Sequence, residues 1–139
     1  MPPAKIRSQL KSRGPDLAEV VRLAREFDVS KEAMARSYAE AHRETLAIVI
    51  LQHGRIDRLY RPVDFPWIEP RLGDAVPQDS LASDHRLAPG AISEMEECEP
   101  ETWLSYSGAR KVEALSEQVL AQQGGYSTVL LHAELADID

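Results

Sequence analysis

The sequence is poor in the side chains that hold metal ions. Its 139 residues include one cysteine, Cys98, which excludes an internal disulfide and a zinc site rich in thiolates. The histidines are widely spaced, so the H-x-x-x-H and H-E-x-x-H patterns that place two imidazoles around zinc do not occur. We therefore expect no resident metal or cofactor. The four histidines are His42, His53, His85 and His132.

Motifs of nucleophilic and phosphate chemistry are missing as well. The G-x-S-x-G pattern of a nucleophile elbow does not occur. Gly124 and Gly125 form an isolated pair with no Lys-Ser or Lys-Thr after it, unlike a phosphate-binding loop. Cys98 lies among glutamates, whose negative charge disfavours the reactive thiolate. We predict that the chain as it stands is not an enzyme.

Long hydrophobic runs are absent too. No apolar run approaches the roughly 20 residues that a helix needs to cross a bilayer. The N-terminal sequence MPPAKIRSQL has no hydrophobic core of a secretory signal. We expect a cytoplasmic protein without membrane contact, and the single cysteine fits a reducing compartment.

Charge is distributed unevenly along the chain, whose formal net charge is −7. Residues 1–43 hold nine Lys or Arg against six Asp or Glu, whereas residues 44–139 hold seven against seventeen. Such asymmetry indicates two units with different roles. The acidic part repels phosphate, so a contact with nucleic acid would have to come from the first third.

The first third, residues 1–44, predicts a three-helix, helix-turn-helix-like unit. Two prolines before AKIRSQLKS favour a short first helix. Asp16 begins a D-x-x-E start of a second helix that runs to about Phe27, and Ser30 is a good N-cap for the third. The apolar side of this third helix consists of Ala33, Met34, Tyr38 and Ala41.

The remainder, residues 45–139, predicts a small, mainly antiparallel sheet with one or two short helices. LAIVIL, then Gln52-His53-Gly54, then RIDRLY is typical of a β-hairpin. The proline-rich segment after it is a loop, which Phe65, Trp67 and Ile68 are expected to clamp to the sheet. Ser80 favours a short helix through Arg86. Three further segments read as strands: AISEMEECE, ETWLSY and YSTVLLHAE.

Residues 111–122 are ambiguous. In KVEALSEQVLAQQ the apolar residues Val112, Leu115, Val119 and Leu120 recur at helical spacing. The segment nevertheless leads through two glycines into a clear strand. Periodicity alone favours a helix.

Two sets of side chains are candidates for recognition. The outer face of the third predicted helix carries Lys31, with Arg36 near its edge and Arg43 at its end, and these cations can reach phosphates or base edges of DNA. Acids on the same face oppose tight binding, and the other interpretation is a helix pair that only packs on its neighbours. The aromatic set can line a small-molecule pocket or form core. It consists of Phe65, Trp67, Trp103 and Tyr126.

The order of these features resembles the C-terminal half of the ImmA/IrrE-type metallopeptidase-like proteins. The segment LAREFDVSKEAMARSY is similar to a family stretch in which an L-A-x-x-F-x-V-S turn joins two helices. The opening M-P-P-A-K-I-R is similar to the stretch just before it. Weaker matches are Phe65-Pro66, the P-x-x-S of Pro77 to Ser80, E-T-W-L from Glu101 to Leu104, and the closing G-G-Y-S-T-V-L-L.

The resemblance implies a division of roles between domains. Such proteins have a zinc-peptidase-like domain, then a helix-turn-helix-like unit and, in some members, a GAF- or PAS-like sensor fold. This sequence begins after the H-E-x-x-H, so no catalytic residue carries over, and the family pattern favours a strand at 111–122. The expectation is therefore an α+β, GAF/PAS-like regulatory region that contacts an upstream peptidase domain or another protein partner. A small-molecule ligand is compatible with this role, and a DNA-binding regulator is the alternative.

Overall fold

The computed structural model describes residues 14–84 and 86–137. These residues form an α+β fold with four α-helices and one five-stranded antiparallel sheet. The predicted first helix lies outside the described residues. The helices are α1 (Leu17–Glu26), α2 (Lys31–Ala41), α3 (Leu81–Asp84) and α4 (Tyr106–Ala109), and the strands are β1 (Thr45–Gln52), β2 (Arg55–Tyr60), β3 (Glu96–Cys98), β4 (Val112–Ala121) and β5 (Tyr126–Leu135).

Both long helices begin at the residues that their caps predict. The Asp16 carboxylate accepts a hydrogen bond from the N–H of Ala18 at 3.0 Å, and the Ser30 hydroxyl accepts one from Ala33 at 3.0 Å. Each cap satisfies an N–H group that the first helical turn leaves unpaired. The predicted apolar side of α2 is wrong in one residue, because Ala33 is exposed. The buried face of α2 consists of Met34, Ala35, Tyr38, Ala39 and Ala41.

The sheet has the order β2-β1-β5-β4-β3, with every neighbouring pair antiparallel. The predicted hairpin is confirmed as β1 and β2, and His53 and Gly54 both have positive φ in the turn between them. The pairing of these strands shifts between Ile50 and Leu51, so that Asp57 on β2 is a bulged residue. Strand β5 lies at the centre of the sheet.

Residues 112–121 form strand β4, so the helix that periodicity favours is wrong and the strand that the resemblance favours is right. A register shift between Val112 and Ala114 explains the misleading spacing. Because of this bulge, Val112 and Leu115 pack in the same cluster although they are three residues apart, and Val119 follows Leu115 by four. A bulged strand that is buried on both faces can therefore imitate a helical pattern.

The segment between β2 and β4 is more irregular than predicted. ETWLSY is not a strand: Pro100–Thr102 form a single turn of 3₁₀-helix, and Leu104 makes only an isolated bridge to Ile68. From AISEMEECE only the three residues of β3 form a strand, and Ile92 adds an isolated bridge. Pro100 favours a turn, because proline is tolerated at the first position of a helix and has no N–H for a strand. The Ser80 helix is confirmed but ends at Asp84, before the predicted Arg86.

Each face of the sheet buries its own hydrophobic cluster. The face under α1 and α2, here called the helix-covered face, contains Leu46, Ile48 and Ile50 of β1 together with Leu17, Leu23, Met34 and Tyr38 of the helices. The opposite, loop-covered face lies under most of the segment 61–111, whereas Ile92 and Met95 of this segment pack against the helix-covered cluster. Its cluster contains Ala47, Val49 and Leu51 of β1 together with Phe65, Ile68, Ala82, Trp103 and Leu104.

A polar contact joins the start of α1 to the sheet. The Gln118 side chain on β4 is 5% exposed and accepts a hydrogen bond from the N–H of Leu17 at 2.7 Å. Its amide nitrogen donates to the Asp16 carboxylate at 2.9 Å and to the Ser93 carbonyl at 3.1 Å. The N–H of Asp16 in turn donates to the Tyr38 hydroxyl at 3.0 Å. Residues 17–41 and the sheet therefore share one packed core.

The two edges of the sheet differ. Along β2, Ile56 exchanges backbone hydrogen bonds with Asp74 and Gly73 at 2.9 and 2.7 Å, so that the loop 73–76 pairs with the first part of this edge. The opposite edge is the short β3, whose exposed residues include Glu96 and Glu97. Acidic side chains and short length both discourage pairing with another chain. Within the described residues, no helix combines the length and the apolar character that crossing a bilayer requires.

Candidate functional site

An open groove of about 440 Å³ lies where α2 begins and the sheet ends on the helix-covered side. Its volume falls within the roughly 300–1,000 Å³ of typical small-molecule sites. Five separate segments contribute to it: the first turn of α2, the strands β1 and β2, the loop before β3, and the turn between β4 and β5. This helix–sheet groove is lined by Lys31, Glu32, Ile50, Arg58, Pro89, Gly90, Gln122, Gln123 and Tyr126.

The groove combines an apolar floor with polar groups of both signs. Ile50 is 2% exposed and belongs to the helix-covered cluster, against which the Tyr126 ring also packs. Glu32 is held in place, because it forms an ion pair with Arg58 at 2.7 Å and accepts a hydrogen bond from the Tyr60 hydroxyl at 2.6 Å. The Glu32 charge raises the pKa of Tyr60, chiefly through this hydrogen bond.

Two donors of the groove remain available. Gln122 uses its side-chain oxygen to accept from the Thr128 hydroxyl at 2.7 Å, which fixes the orientation of the amide. The Gln122 amide nitrogen and the Lys31 ammonium have no hydrogen-bond or ion-pair partner among residues 14–84 and 86–137. A ligand that carries an anionic or acceptor group and a small apolar part therefore matches the groove.

The turn that ends the groove depends on a close backbone approach. The N–H of His53 donates to the carbonyl of Gly125 at 2.9 Å, and the His53 ring lies directly over this glycine. Gly125 has φ +78°, a conformation that residues with a side chain rarely adopt, and a Cβ atom there would overlap the His53 ring. Glycine is therefore required at 125 for this conformation of the turn that links Gln122 to Tyr126.

The predicted DNA-contacting residues do not form one cationic surface. Lys31 lies at the groove, and Arg43 follows the end of α2. Arg36 is exposed on α2, but its guanidinium lies 3.8 Å from the Glu40 carboxylate and 5.1 Å from the centre of the Tyr60 ring. Arg36, the middle one of the three cations, is therefore already in contact with Glu40 and Tyr60.

The four aromatics of the predicted pocket are not brought together. Phe65 and Trp103 are fully buried in the loop-covered cluster, and Phe65 therefore clamps the loop as expected. Trp67 is 60% exposed and is not part of the buried cluster, so its side chain does not hold the loop against the sheet as predicted. Tyr126 lies on the opposite face of the sheet, where it lines the helix–sheet groove.

A second cavity, the acidic cleft, opens on the loop-covered side between α3 and β3. Its floor is Glu117, which is 1% exposed. Burial raises the pKa of this carboxyl, while hydrogen bonds from the backbone of Leu81 and Ala82 and from the Trp103 indole oppose the shift. The cleft is lined by Gln78, Asp79, Ser80, Leu81, Asp84, Glu96, Glu97, Cys98, Glu99, Glu101, Thr102 and Glu117.

Cys98 lies in the wall of the acidic cleft and is a weak nucleophile. Burial, followed by the charge of Glu117, raises the pKa of its thiol to about 12. The direction agrees with the prediction, although burial is the larger cause. Among residues 14–84 and 86–137, no three His, Cys, Asp or Glu side chains come together in a way that suits a metal ion.

Comparison of the sequence with known protein families and with curated proteins finds no family and no relative that matches it. The groove therefore has to be judged from its own residues. Sequence reasoning missed Arg58 and Gln122 as site residues, because they belong to segments that are far apart in the chain. The only local signal was the Gly124-Gly125 pair, which marks a turn but does not indicate what the turn presents.

Proposed function

We propose that this chain is the non-catalytic regulatory region of a cytoplasmic, ImmA/IrrE-type metallopeptidase-like protein, and that it binds a small anionic molecule in the helix–sheet groove. The helix–sheet groove is the observation that carries the ligand-binding part of the proposal, and the relation to a peptidase rests on the sequence resemblance. The groove's Lys31 ammonium and Gln122 amide nitrogen have no hydrogen-bond or ion-pair partner in the described chain, and Ile50 supplies an apolar floor. An apolar floor with a few polar groups that orient a ligand is a common feature of small-molecule sites.

The fold is compatible with the GAF/PAS-like part of the resemblance. An antiparallel sheet carries helices on one face and irregular chain on the other, and the groove opens between helix and sheet. A ligand in this groove would touch the first turn of α2 and three strands at once. Its binding would therefore stabilise the contact between helices and sheet, which is the kind of change that a regulatory region can pass to an upstream peptidase domain.

A thermal-shift screen tests ligand binding. The probes are nucleoside monophosphates, cyclic nucleotides and small mono- and dicarboxylates. A ligand at about 100 times its Kd adds about 2.7 kcal/mol to the free energy of unfolding, which raises Tm by several degrees in a domain of this size. No stabilisation by any probe would remove the support for a ligand site.

Two matched pairs of variants locate the binding. Lys31→Gln removes the cation of the groove, and Gln122→Glu removes the amide donor while it keeps the oxygen that accepts from Thr128. Both variants should reduce the thermal shift. Lys111→Gln and Gln78→Glu make the same chemical changes outside the groove and should leave the shift unchanged. A shift that survives the groove variants would place the ligand elsewhere.

The relation to a peptidase has its own test. The coding DNA before Met1 should contain an in-frame H-E-x-x-H, as the resemblance implies. Its absence would refute this part of the proposal but would leave the ligand screen unaffected.

DNA binding through α2 is the second candidate function. Lys31, Arg36 and Arg43 favour it, whereas the contact of Arg36 with Glu40 and the net charge of −7 oppose it. Titration with mixed duplex DNA at low salt decides the matter. A flat titration to about 100 μM refutes the second function, because non-specific binders usually reach that affinity even at physiological salt.

A further inference from the structure

Large hydrophobic side chains are exposed on the loop-covered side. Trp67 is 60% exposed, Tyr106 is 77% exposed and Val63 is 98% exposed. Together with Arg61 and Arg110 we call them the aromatic–arginine patch. The patch lies outside both the helix–sheet groove and the acidic cleft.

The two segments that carry the patch are fixed against each other. The N–H of Ser105 donates to the carbonyl of Trp67 at 3.1 Å. A Cβ atom at Gly108 would lie 3.2 Å from that carbonyl oxygen, so the first turn of α4 touches the backbone of the loop. A turn closed by the hydrogen bond from the Phe65 N–H to the Pro62 carbonyl, at 3.0 Å, presents Val63 at its corner. The exposed side chains therefore stand on ordered backbone next to buried Phe65.

Each aromatic ring of the patch has a guanidinium group over it. Arg61 lies 4.9 Å from the centre of the Trp67 ring, and Arg110 lies 6.0 Å from the centre of the Tyr106 ring. Within the described part of the chain, neither arginine forms an ion pair with a carboxylate. Arg61 also donates a hydrogen bond to the carbonyl of Phe65 at 2.5 Å. The rings and this bond position the two positive charges without neutralising them.

We propose that the aromatic–arginine patch is a docking surface for a protein partner that presents an acidic segment with a large apolar side chain. Tryptophan, tyrosine and arginine are the residues most enriched among those that dominate protein–protein binding energy. Residues 61–67 and 105–111 hold three cations against one acid, Asp64, in a chain whose net charge is −7. This local excess of positive charge is complementary to carboxylates of a partner.

The observations favour an acidic protein over other occupants. Two positive charges in excess, in an acidic chain, provide little of the electrostatic attraction on which nucleic-acid binding depends. Exposed Val63 offers an aliphatic contact that suits a side chain of a protein. Two copies of the patch would bring like charges together, which disfavours self-association through it.

Selection from a random peptide library displayed on phage tests the proposal with the intact chain. The double variant Trp67→Ala/Arg110→Gln serves for counter-selection, and since both residues are exposed it should unfold at nearly the same denaturant concentration as the wild type. Selected peptides should be enriched in Asp or Glu near a large apolar residue. An empty selection, or selected peptides without acidic residues, would overturn the proposal.

Synthetic copies of the enriched peptides then give the energetics. The chain has two tryptophans, and Trp103 is fully buried, so a change in tryptophan emission on binding reports Trp67. Anisotropy of fluorescein-labelled peptides gives Kd for every variant, including the one that lacks Trp67. Trp67→Ala and Arg110→Gln should each weaken binding by roughly tenfold or more, as for residues that dominate an interface. The matched controls Arg25→Gln, on the exposed side of α1, and Leu72→Ala, another exposed apolar residue, should leave Kd unchanged.

Two further measurements separate the other occupants. An oligothymidylate that changes the Trp67 emission at lower concentration than the peptides would overturn the proposal in favour of nucleic acid. Sedimentation that shows a dimer in the wild type but a monomer in Trp67→Ala would overturn it in favour of a second copy. Loss of peptide binding in the patch variants alone, with a monomeric protein and no response to oligothymidylate, supports an acidic protein partner.

Discussion

The two faces of the sheet are covered in different ways. Two regular helices close the helix-covered face, and their side chains interdigitate with β1, β4 and β5. The other face is closed mainly by irregular chain on either side of residues 89–95, in which the α-helices are only four residues long. The described backbone hydrogen bonds of this irregular chain mostly close local turns and do not form a continuous ladder with the sheet. Bulky side chains and buried polar groups of the strands therefore hold it against the sheet. Trp103 and Glu117 have this role.

Replacing Trp103 by alanine should destabilise the loop-covered face more than any other change considered for either face. Trp103 is fully buried, and its indole N–H donates a hydrogen bond to the Glu117 carboxylate at 3.4 Å. Trp103→Ala should lower the free energy of unfolding by about 3–5 kcal/mol, measured by urea denaturation. Trp67→Ala is the control, because that side chain is 60% exposed and should cost about 1 kcal/mol or less. Equal losses in the two variants would show that Trp103 does not anchor the loop layer.

Gln118 is the corresponding polar anchor of the helix-covered face. Gln118→Ala leaves the N–H of Leu17 without its acceptor, and a buried donor without a partner costs about 1–3 kcal/mol. The same urea measurement checks it, with the exposed Gln123→Ala as control. A loss no greater than in the control would mean that α1 is held by apolar contacts alone.

Removing one helix cap on each face should give smaller losses of stability, which can be compared directly. Asp16→Ala removes the cap of α1 and also the acceptor of the Gln118 amide, so we expect a loss of about 1–2 kcal/mol. Ser105→Ala removes the bond to the N–H of Gly108 in the short α4 and a long, exposed contact with the Ser107 hydroxyl, and we expect a loss of about 0.5–1 kcal/mol. Thermal and urea unfolding of both variants test the order. If Ser105→Ala lost more free energy of unfolding than Asp16→Ala, the stronger polar anchor would belong to the loop-covered face and not to the helix-covered face.

The smallest effect is a dependence on pH. Because burial raises the pKa of Glu117 above its ordinary 4.5, the folded chain holds this proton more tightly than the unfolded chain does. Between 4.5 and the raised pKa the unfolded chain binds fewer protons, so stability falls as the pH rises. Glu117→Gln keeps a neutral side chain at every pH. The wild type should therefore lose stability relative to this variant as the pH is raised from 4.5 in parallel urea titrations. A difference that does not change with pH would contradict the shift.

The sequence predicted the regular parts of the fold better than the irregular ones. Asp16 and Ser30 specify helix starts through their own hydrogen bonds, and Gly54 permits the hairpin turn, so these local signals were enough. The bulge near Val112 gave β4 a helical spacing, and this error could be corrected only through the resemblance to a family. Trp67 was assigned to the clamp because its type, and not its direction, is visible in a sequence.

The candidate site was largely beyond sequence reasoning. The helix–sheet groove collects Lys31, Arg58, Gly90 and Gln122 from segments whose proximity is decided by the order of the strands. Of the seven residues predicted for recognition, only Lys31 and Tyr126 line this groove. Composition and spacing describe what a segment can do, whereas long-range packing decides which segments meet.

The two edges of the sheet limit how another polypeptide chain can pair with this protein. One border is bulged at Asp57 and already occupied in part by residues 73–76, and the other ends in a three-residue strand with two glutamates. Among the described residues, neither border offers an incoming chain a long, straight row of free amide groups. Growth into stacked filaments through main-chain bonding is thereby discouraged, and an associating molecule has to recognise side chains instead.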